Sequence, residues 1–242
     1  MKLNLAIPML AMRKEASHKS ELVSQILFGE TFDIIEEYRD WAFVCTEHDH
    51  YIAWIENKIF YFNAVANEKP SKIISSFSAE IIHQNKSIRI PFGSFYSASE
   101  KELLIGSCIL KCDVEEAMHL VKAQLLGSPY LWGGRTGFGI DCSGLTQLFY
   151  RLQNISIPRD AHMQAKIGDD IFLTQVAIGD LLFYSNAENK IIHVGIAVDN
   201  KYILHASGNV RIDTYDSKGI FNDELNSYTH SFALAKRITA LE

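Results

Sequence analysis

The sequence predicts a multidomain chain: an all-β front half of one or two small barrels, followed by an α+β domain. Three observations carry that expectation. Residues 1–112 hold short apolar stretches cut by turn signals, at the spacing of small barrels. Strong helical periodicity arrives only at Asp113. A length of 242 residues is more than one small domain usually needs, which suggests two or three. Hydrophobic residues at 48% and charged residues at 21% exclude a disordered tail, a collagen-like chain and a coiled coil. Lys plus Arg is 23 and Asp plus Glu is 29, a formal net charge of -6. A mildly acidic chain without a long basic run argues against nucleic acid or an anionic membrane as partner. No apolar run reaches the roughly 18 residues that a transmembrane helix needs.

At the N-terminus, Met1-Lys2-Leu3-Asn4 leads into an apolar stretch from Leu5 to Met12, interrupted by Pro8. The stretch is short for a secretory signal, and Arg13-Lys14-Glu15 stands where a cleavage site should be. It reads as a strand. The four cysteines (Cys45, Cys108, Cys112, Cys142) form no C-x-x-C pair and fit a reducing compartment. A cytoplasmic location is therefore expected, with secretion or the periplasm as the alternative. Further strands fall at Ile26-Leu27-Phe28, Phe32 to Ile35, Trp41 to Cys45 and Tyr51 to Ile55. The Glu47-His48-Asp49-His50 cluster reads as a solvated hairpin tip. Asn67-Glu68-Lys69-Pro70-Ser71 is a polar, proline-containing break and a linker candidate. Ala79 to His83, Ser87 to Ile90 and Glu102 to Leu110 again read as strands of a second, less regular barrel.

The first helix is announced by Asp113-Val114-Glu115-Glu116, which has the form of a capping box. Ala117, Leu120, Val121 and Leu125 follow at helical spacing, and Gly127 and Pro129 end the helix. A second helix starts near Cys142, with Leu145, Leu148, Phe149 and Leu152 on one stripe. From Asp180 the pattern returns to strands: Leu181 to Tyr184, Ile191 to Val198, Tyr202 to Ala206, Val210 to Asp213 and Ser231 to Arg237.

The chemistry gathers at Cys142. A glycine-rich approach, Gly133 to Ile140, leads into Asp141-Cys142-Ser143-Gly144. A cysteine in the first turn of a helix lies at the positive end of the dipole, where thiolate is favoured and the pKa falls. Free N–H groups of that terminus can hold a developing oxyanion. The alternative is a buried structural cysteine beside a capping Asp141, since free cysteine is among the most buried residue types. Two histidines bear on the choice. His193 and His205 lie in consecutive strands joined by Asp199-Asn200-Lys201. A three-residue loop puts them on one face as diagonal neighbours, about 7–8 Å apart; a two-residue loop puts them on opposite faces. On one face beside the cysteine helix they supply base and orienting group for a thiol nucleophile. A zinc site of Cys142, His193 and His205 has suitable ligand types but lacks a close-spaced ligand pair. Phosphate binding by the glycines finds no support, because no Lys-Ser/Thr follows.

Pro129-Tyr130-Leu131-Trp132-Gly133-Gly134-Arg135, then Gly139 to Gly144, resembles the signature of NlpC-type cell-wall cysteine peptidases. Pro158-Arg159-Asp160-Ala161 with Gln164, Ile178 to Leu181 and His193-Val194-Gly195-Ile196 continue it in order. The front half is similar to the bacterial SH3-like domains that precede this peptidase in one subgroup. Met12-Arg13, Ser20 to Val23 and Tyr51 to Trp54 carry that likeness, with Ala53 replacing the usual glycine. The resemblance implies SH3-like domains at 1–63 and, in degenerate form, at 64–112, ahead of a papain-like α+β peptidase domain at 113–242. It implies a cysteine endopeptidase that cleaves the γ-D-glutamyl-L-diamino-acid bond of bacterial peptidoglycan peptides, preferring a free N-terminal L-alanine, as in murein peptide recycling. It implies Cys142 as nucleophile, His193 as base and His205 as the orienting residue. Asp141, Ser143 and Tyr130 match residues that hold the substrate amine, and Glu15 and Tyr51 match residues that help close the pocket. No metal and no cofactor are called for, and a monomer is expected.

The chemistry suits that assignment. A carboxylate beside the nucleophile opposes thiolate formation unless a bound ammonium, or His193 as imidazolium, compensates it. Asp141 acting only as a helix cap is the other reading. Two further classes compete with the endopeptidase: another thiol hydrolase or acyltransferase on the same scaffold, and a non-catalytic module that binds wall peptides.

Overall fold

The computed structural model describes residues 2–58, 61–64, 72–97 and 102–239. The chain divides into two compact units, Met1–Cys112 with Leu131–Gly139, and Asp113–Tyr130 with Ile140–Glu242. The linker candidate Asn67 to Ser71 lies outside the described residues.

The first unit begins with seven antiparallel strands: β1 (Lys2–Leu5), β2 (Met9–Arg13), β3 (Leu22–Leu27), β4 (Thr31–Tyr38), β5 (Trp41–Thr46), β6 (Ile52–Glu56) and β7 (Phe62–Ala64). They form one sheet in the order β3-β2-β6-β5-β4-β1-β7. The N-terminal apolar stretch is thus two strands that break around Pro8, as a ring lacking an N–H requires. Alternation along β5 and β6 turns Ala42, Val44, Ala53 and Ile55 into the core beside Leu5, Met12 and Phe32.

A second, smaller core follows. It draws on β8 (Lys72–Ile74), β9 (Ser78–His83), β10 (Lys86–Pro91), β11 (Phe95–Tyr96), β12 (Glu102–Ile105) and β13 (Cys108–Ile109). These make two three-stranded sheets, β10-β9-β12 and β11-β8-β13, around Phe28, Ile74, Ile81 and Ile90. The strand expected from Glu102 to Leu110 is two strands in different sheets. The break falls at Gly106, whose φ is +107°; a Cβ there would lie 2.7 Å from Ser76 Oγ and 2.9 Å from Ala79 Cβ. A side chain cannot occupy that position, so the chain turns there and changes sheet.

The His48-Asp49 pair is not a solvated tip. The side chain of Asp49 is 1% exposed and that of His48 15%. His48 Nε2 lies 3.2 Å from Asp49 and 3.0 Å from Arg135 Nη2. Arg135 explains the burial. Its guanidinium meets both oxygens of the buried Glu30 at 2.9 Å and donates to the carbonyl of Gln25 at 2.6 Å. A buried cation with two carboxylates nearby draws in polar groups that sequence pattern alone assigns to solvent. Burial pushes the Asp49 carboxyl up, but His48 and Arg135 outweigh it and hold it well below the usual range.

The second unit opens with α1 (Val114–Leu125), capped by Asp113, which accepts the Glu116 N–H at 2.8 Å. The chain then passes through the hairpin β14 (Arg135–Thr136) and β15 (Gly139–Ile140), which as far as Gly139 belongs to the first unit, and re-enters the second for α2 (Cys142–Leu152) and α3 (Ala161–Gln164). Seven antiparallel strands complete the unit: β16 (Asp169–Ile171), β17 (Leu181–Ser185), β18 (Ile191–Ala197), β19 (Tyr202–Ser207), β20 (Asn209–Tyr215), β21 (Gly219–Asn222) and β22 (Ser227–Arg237). Their order is β16-β22-β17-β18-β19-β20-β21, and β22 also pairs with β21, so six of them close on themselves. Closure leaves no free edges among these six. β21 has no counterpart among the strands read from sequence; four residues after an Asp-Ser-Lys turn carry too little alternation to register. Every residue of α2 is buried, not one stripe, because α1, α3, β18 and β19 all pack on it. Among the described residues, no helix is long and apolar enough to cross a membrane.

Candidate active site

Asp141 caps α2, accepting the Gly144 N–H at 2.7 Å, and this cap fixes Cys142 in the first turn. The same carboxylate takes two bonds from Arg159, at 2.6 Å and 3.0 Å. Arg159 also donates to Ser143 Oγ at 2.7 Å, and that hydroxyl donates to Asp141 at 3.3 Å. Gln164 braces the arrangement, donating to the carbonyls of Ser143 and Pro158 and accepting from Thr146. The charge that compensates Asp141 is therefore Arg159, within the protein, and neither a bound ammonium nor an imidazolium is required for it.

Burial pushes the Cys142 thiol up to about 12, and Asp141 adds to the rise. The backbone N–H groups of Val194 and Ser143, with Arg159, oppose this without offsetting it. The helix terminus does not create a resting thiolate here, because desolvation of a fully enclosed sulfur outweighs a dipole worth about 1 kcal/mol. The Val194 contact sets the sulfur against the His193–Val194 peptide. Tyr130 belongs to the same group: burial raises its phenol, and Cys142 and Asp141 raise it further.

The histidines meet as the odd-length turn requires. β18 and β19 pair Gly195 with His205 and Ala197 with Ile203, leaving Asp199 to Lys201 as the turn. His193 Nε2 and His205 Nδ1 are 2.9 Å apart, with ring centroids at 5.1 Å. Gly195 makes the approach possible; a Cβ there would lie 2.9 Å from His205 Cβ and 2.6 Å from Ile203 Cδ1. Burial, then His205 and His230, hold the His193 imidazole well below its ordinary value. Burial thus favours the uncharged form of both the Cys142 thiol and the His193 imidazole.

Sequence reasoning missed four residues here. Arg159 was seen only as part of a motif. Asp213 accepts from His205 Nε2 at 3.0 Å, and Arg211 Nη2 donates to its other oxygen at 3.0 Å. The parity argument used for the histidines would have found this pair, since β19 and β20 set His205 opposite Arg211 around Gly208. His230 stacks on His193 with centroids 4.1 Å apart; it comes from the far end of β22, and no local signal marks it. Both ring nitrogens of His205 are committed to protein partners, which removes it as a zinc ligand. Among the described residues, no group of three or more His, Cys, Asp or Glu is arranged to hold a metal ion.

Glu15 and Tyr51 lie in the first unit. Glu15 is exposed in the turn after β2, its N–H bonded to Ser20 Oγ at 2.9 Å. Tyr51 is half-buried against the first core, its N–H bonded to Thr46 Oγ1 at 3.0 Å. The acidic residue that meets the Trp132 indole is Glu21, at 2.8 Å.

A helix opening on a buried cysteine, packed on an antiparallel barrel that carries a His–His pair, defines a papain-like cysteine peptidase; an SH3-like all-β region precedes it. The profile of the NlpC/P60 family matches residues 127–228, and that of the bacterial dipeptidyl-peptidase Sh3 domain matches residues 12–58. The gamma-D-glutamyl-L-lysine dipeptidyl-peptidase of Bacillus subtilis (strain 168) is 48% identical over 86 residues, 35% of this chain; the match spans only 29% of that relative's length. Dipeptidyl-peptidase 6 of Lysinibacillus sphaericus is 27% identical, over 88% of this chain and 92% of its own. The probable endopeptidase NlpC of Escherichia coli (strain K12) is 34% identical over 46% of this chain and 70% of its own. A crystal structure of an NlpC/P60 family protein from Bacillus cereus shares the fold, with TM-score 0.82 at 17% identity, over 98% of this chain and 99% of that one. The chain belongs to the NlpC/P60 family of cysteine peptidases.

Proposed function

We propose that the chain is a cysteine endopeptidase that hydrolyses the γ-D-glutamyl-L-diamino-acid bond of peptidoglycan peptides. The observation that carries this reading is the gathering of Cys142, His193 and His205 in one unit of an NlpC/P60 chain. Cys142 is the nucleophile. His193, neutral at rest, takes the thiol proton as sulfur attacks the carbonyl and returns it to the leaving amine. N–H groups at the start of α2 hold the oxyanion. His205 orients His193. Relatives named as gamma-D-glutamyl-L-lysine dipeptidyl-peptidases support the choice of bond.

Preference for a free N-terminal L-alanine belongs to the same proposal. Asp141, Ser143 and Tyr130 would hold the amine, Asp141 doing so while paired with Arg159. Such a preference fits recycling of released wall peptides by a cytoplasmic monomer. Residues 64–112 fit a second, degenerate SH3-like domain, an assignment supported by the separate core around Ile74, Ile81 and Ile90.

The test is incubation with L-Ala-γ-D-Glu-diaminopimelic acid and with its N-acetylated counterpart, the products read by mass spectrometry. Release of L-Ala-D-Glu from the free-amine peptide alone is expected. Equal cleavage of both would keep the peptidase and remove the amine preference; cleavage of neither would overturn the reading. Cell fractionation and light scattering test the location and the monomer.

A further inference from the structure

Beyond the two histidines, a buried carboxylate continues the hydrogen-bonded line. His193 Nε2 meets His205 Nδ1 at 2.9 Å, and His205 Nε2 meets Asp213 Oδ2 at 3.0 Å. All three side chains are enclosed: His193 is 5% exposed, His205 1% and Asp213 7%. An ionised carboxylate only accepts, so the proton of His205 at that end must sit on Nε2. A neutral imidazole then has a bare Nδ1, which accepts, and His193 must be the donor across the 2.9 Å contact. That leaves Nδ1 of His193 bare, the state a base needs before it takes a proton. The opposite pattern would put the proton of His193 on Nδ1 and turn a lone pair of His205 toward a buried carboxylate.

We propose that Asp213 is a positioning residue that sets, through His205, which nitrogen of His193 carries the proton. Arg211 completes the device. Its Nη2 donates to Asp213 Oδ1 at 3.0 Å, and its Nη1 lies 3.2 Å from the exposed Glu224. With Oδ1 held by the guanidinium, Oδ2 of the same carboxylate is the oxygen that faces His205 Nε2. Asn222 Nδ2, at 3.5 Å from Asp213 Oδ2, is a further and longer contact on the same carboxylate.

This inference rests on the reading of His193 as the base, and the experiment separates the two. Nitrogen-15 histidine spectra of the full chain report the protonated nitrogen of each ring without any turnover. In the wild-type protein, protons on Nε2 of both His193 and His205 are expected; a proton on Nδ1 of His205 overturns the proposal even if no variant folds. In Asp213→Ala, part of the His193 population should move its proton to Nδ1. Turnover of the murein tripeptide should then fall by about 10²-fold with KM nearly unchanged, and Asp213→Glu should restore part of it. Unchanged tautomers with unchanged kcat in Asp213→Ala would also overturn the proposal. A wild-type chain with the expected tautomers but no cleavage would sink the peptidase reading and leave the role of Asp213 standing.

Discussion

Burial favours the uncharged form of both Cys142 and His193, and that changes what substitution and pH should do. With the thiol pushed up to about 12, the proposed attack leans on a base that takes its proton. His193→Ala is expected to lower turnover by about 10²–10⁴-fold, and Cys142→Ala to abolish it while the tripeptide still binds, checked by steady-state kinetics and calorimetry. Acid acts on the same groups through the fold. His193 is held well below its ordinary value and His230 down at about 4, so the unfolded chain binds more protons than the folded one below roughly pH 6.5. The sign follows: full stability above that pH, with progressive loss as the pH falls toward 4. Thermal melts from pH 7 to 4 should show this decline, and His230→Phe should make it shallower; superimposable profiles would contradict the linkage. The place of Cys142 at the head of α2 and the shared face of His193 and His205 were legible because motif order and strand parity are local properties. The state of the thiol was not, because all-round burial of α2 is a tertiary fact.

At the scale of elements, the hairpin of β18 and β19 shows how backbone space serves the site. A glycine interior to a strand costs about 0.5–1 kcal/mol against alanine, so Gly195 needs a reason, and the His205 side chain supplies one. In Gly195→Ala the new methyl would meet Ile203 and His205 within 3 Å, and something must shift. A stability loss of about 1–3 kcal/mol is expected, with a fall in kcat larger than the change in KM as His205 is pushed off His193. Urea unfolding and kinetics on one preparation test both; a stable variant with intact kcat would show that the hairpin can absorb the methyl. The same elements show where sequence reading runs out. β18 and β19 alternate strongly and were legible, whereas β21 spans four residues and β12 parts from β13 at a glycine. Strands that short are defined by their partners more than by their own pattern.

For the molecule as a whole, the partition of the chain is not the partition of its motifs. The stretch Leu131–Gly139 lies within the region matched by the NlpC/P60 profile, yet it packs with the first unit; the chain leaves the second unit after Tyr130 and returns at Ile140. Arg135 is why. Its guanidinium is 1% exposed, is held by a Glu30 side chain that is 0% exposed, and its backbone N–H bonds Gln25 at 2.7 Å. The glycines around Arg135 read as an approach to Cys142, and no local pattern marks this ion pair, whose partners stand more than a hundred positions apart. Removing one member of such a pair typically costs about 3–5 kcal/mol, a large share of the roughly 5–15 kcal/mol that holds a domain together. Glu30→Ala should therefore lower the melting temperature sharply, while joint replacement of Glu30 by Leu and Arg135 by Met should recover much of the loss. A fragment of residues 113–242 removes Glu30, Gln25 and His48 together and leaves Arg135 without any of them. That fragment should be poorly soluble or only partly folded, and co-expression with residues 1–112 should rescue it. A soluble, cooperatively melting, fully active fragment would show that the first unit is dispensable and that the ion pair only decorates it.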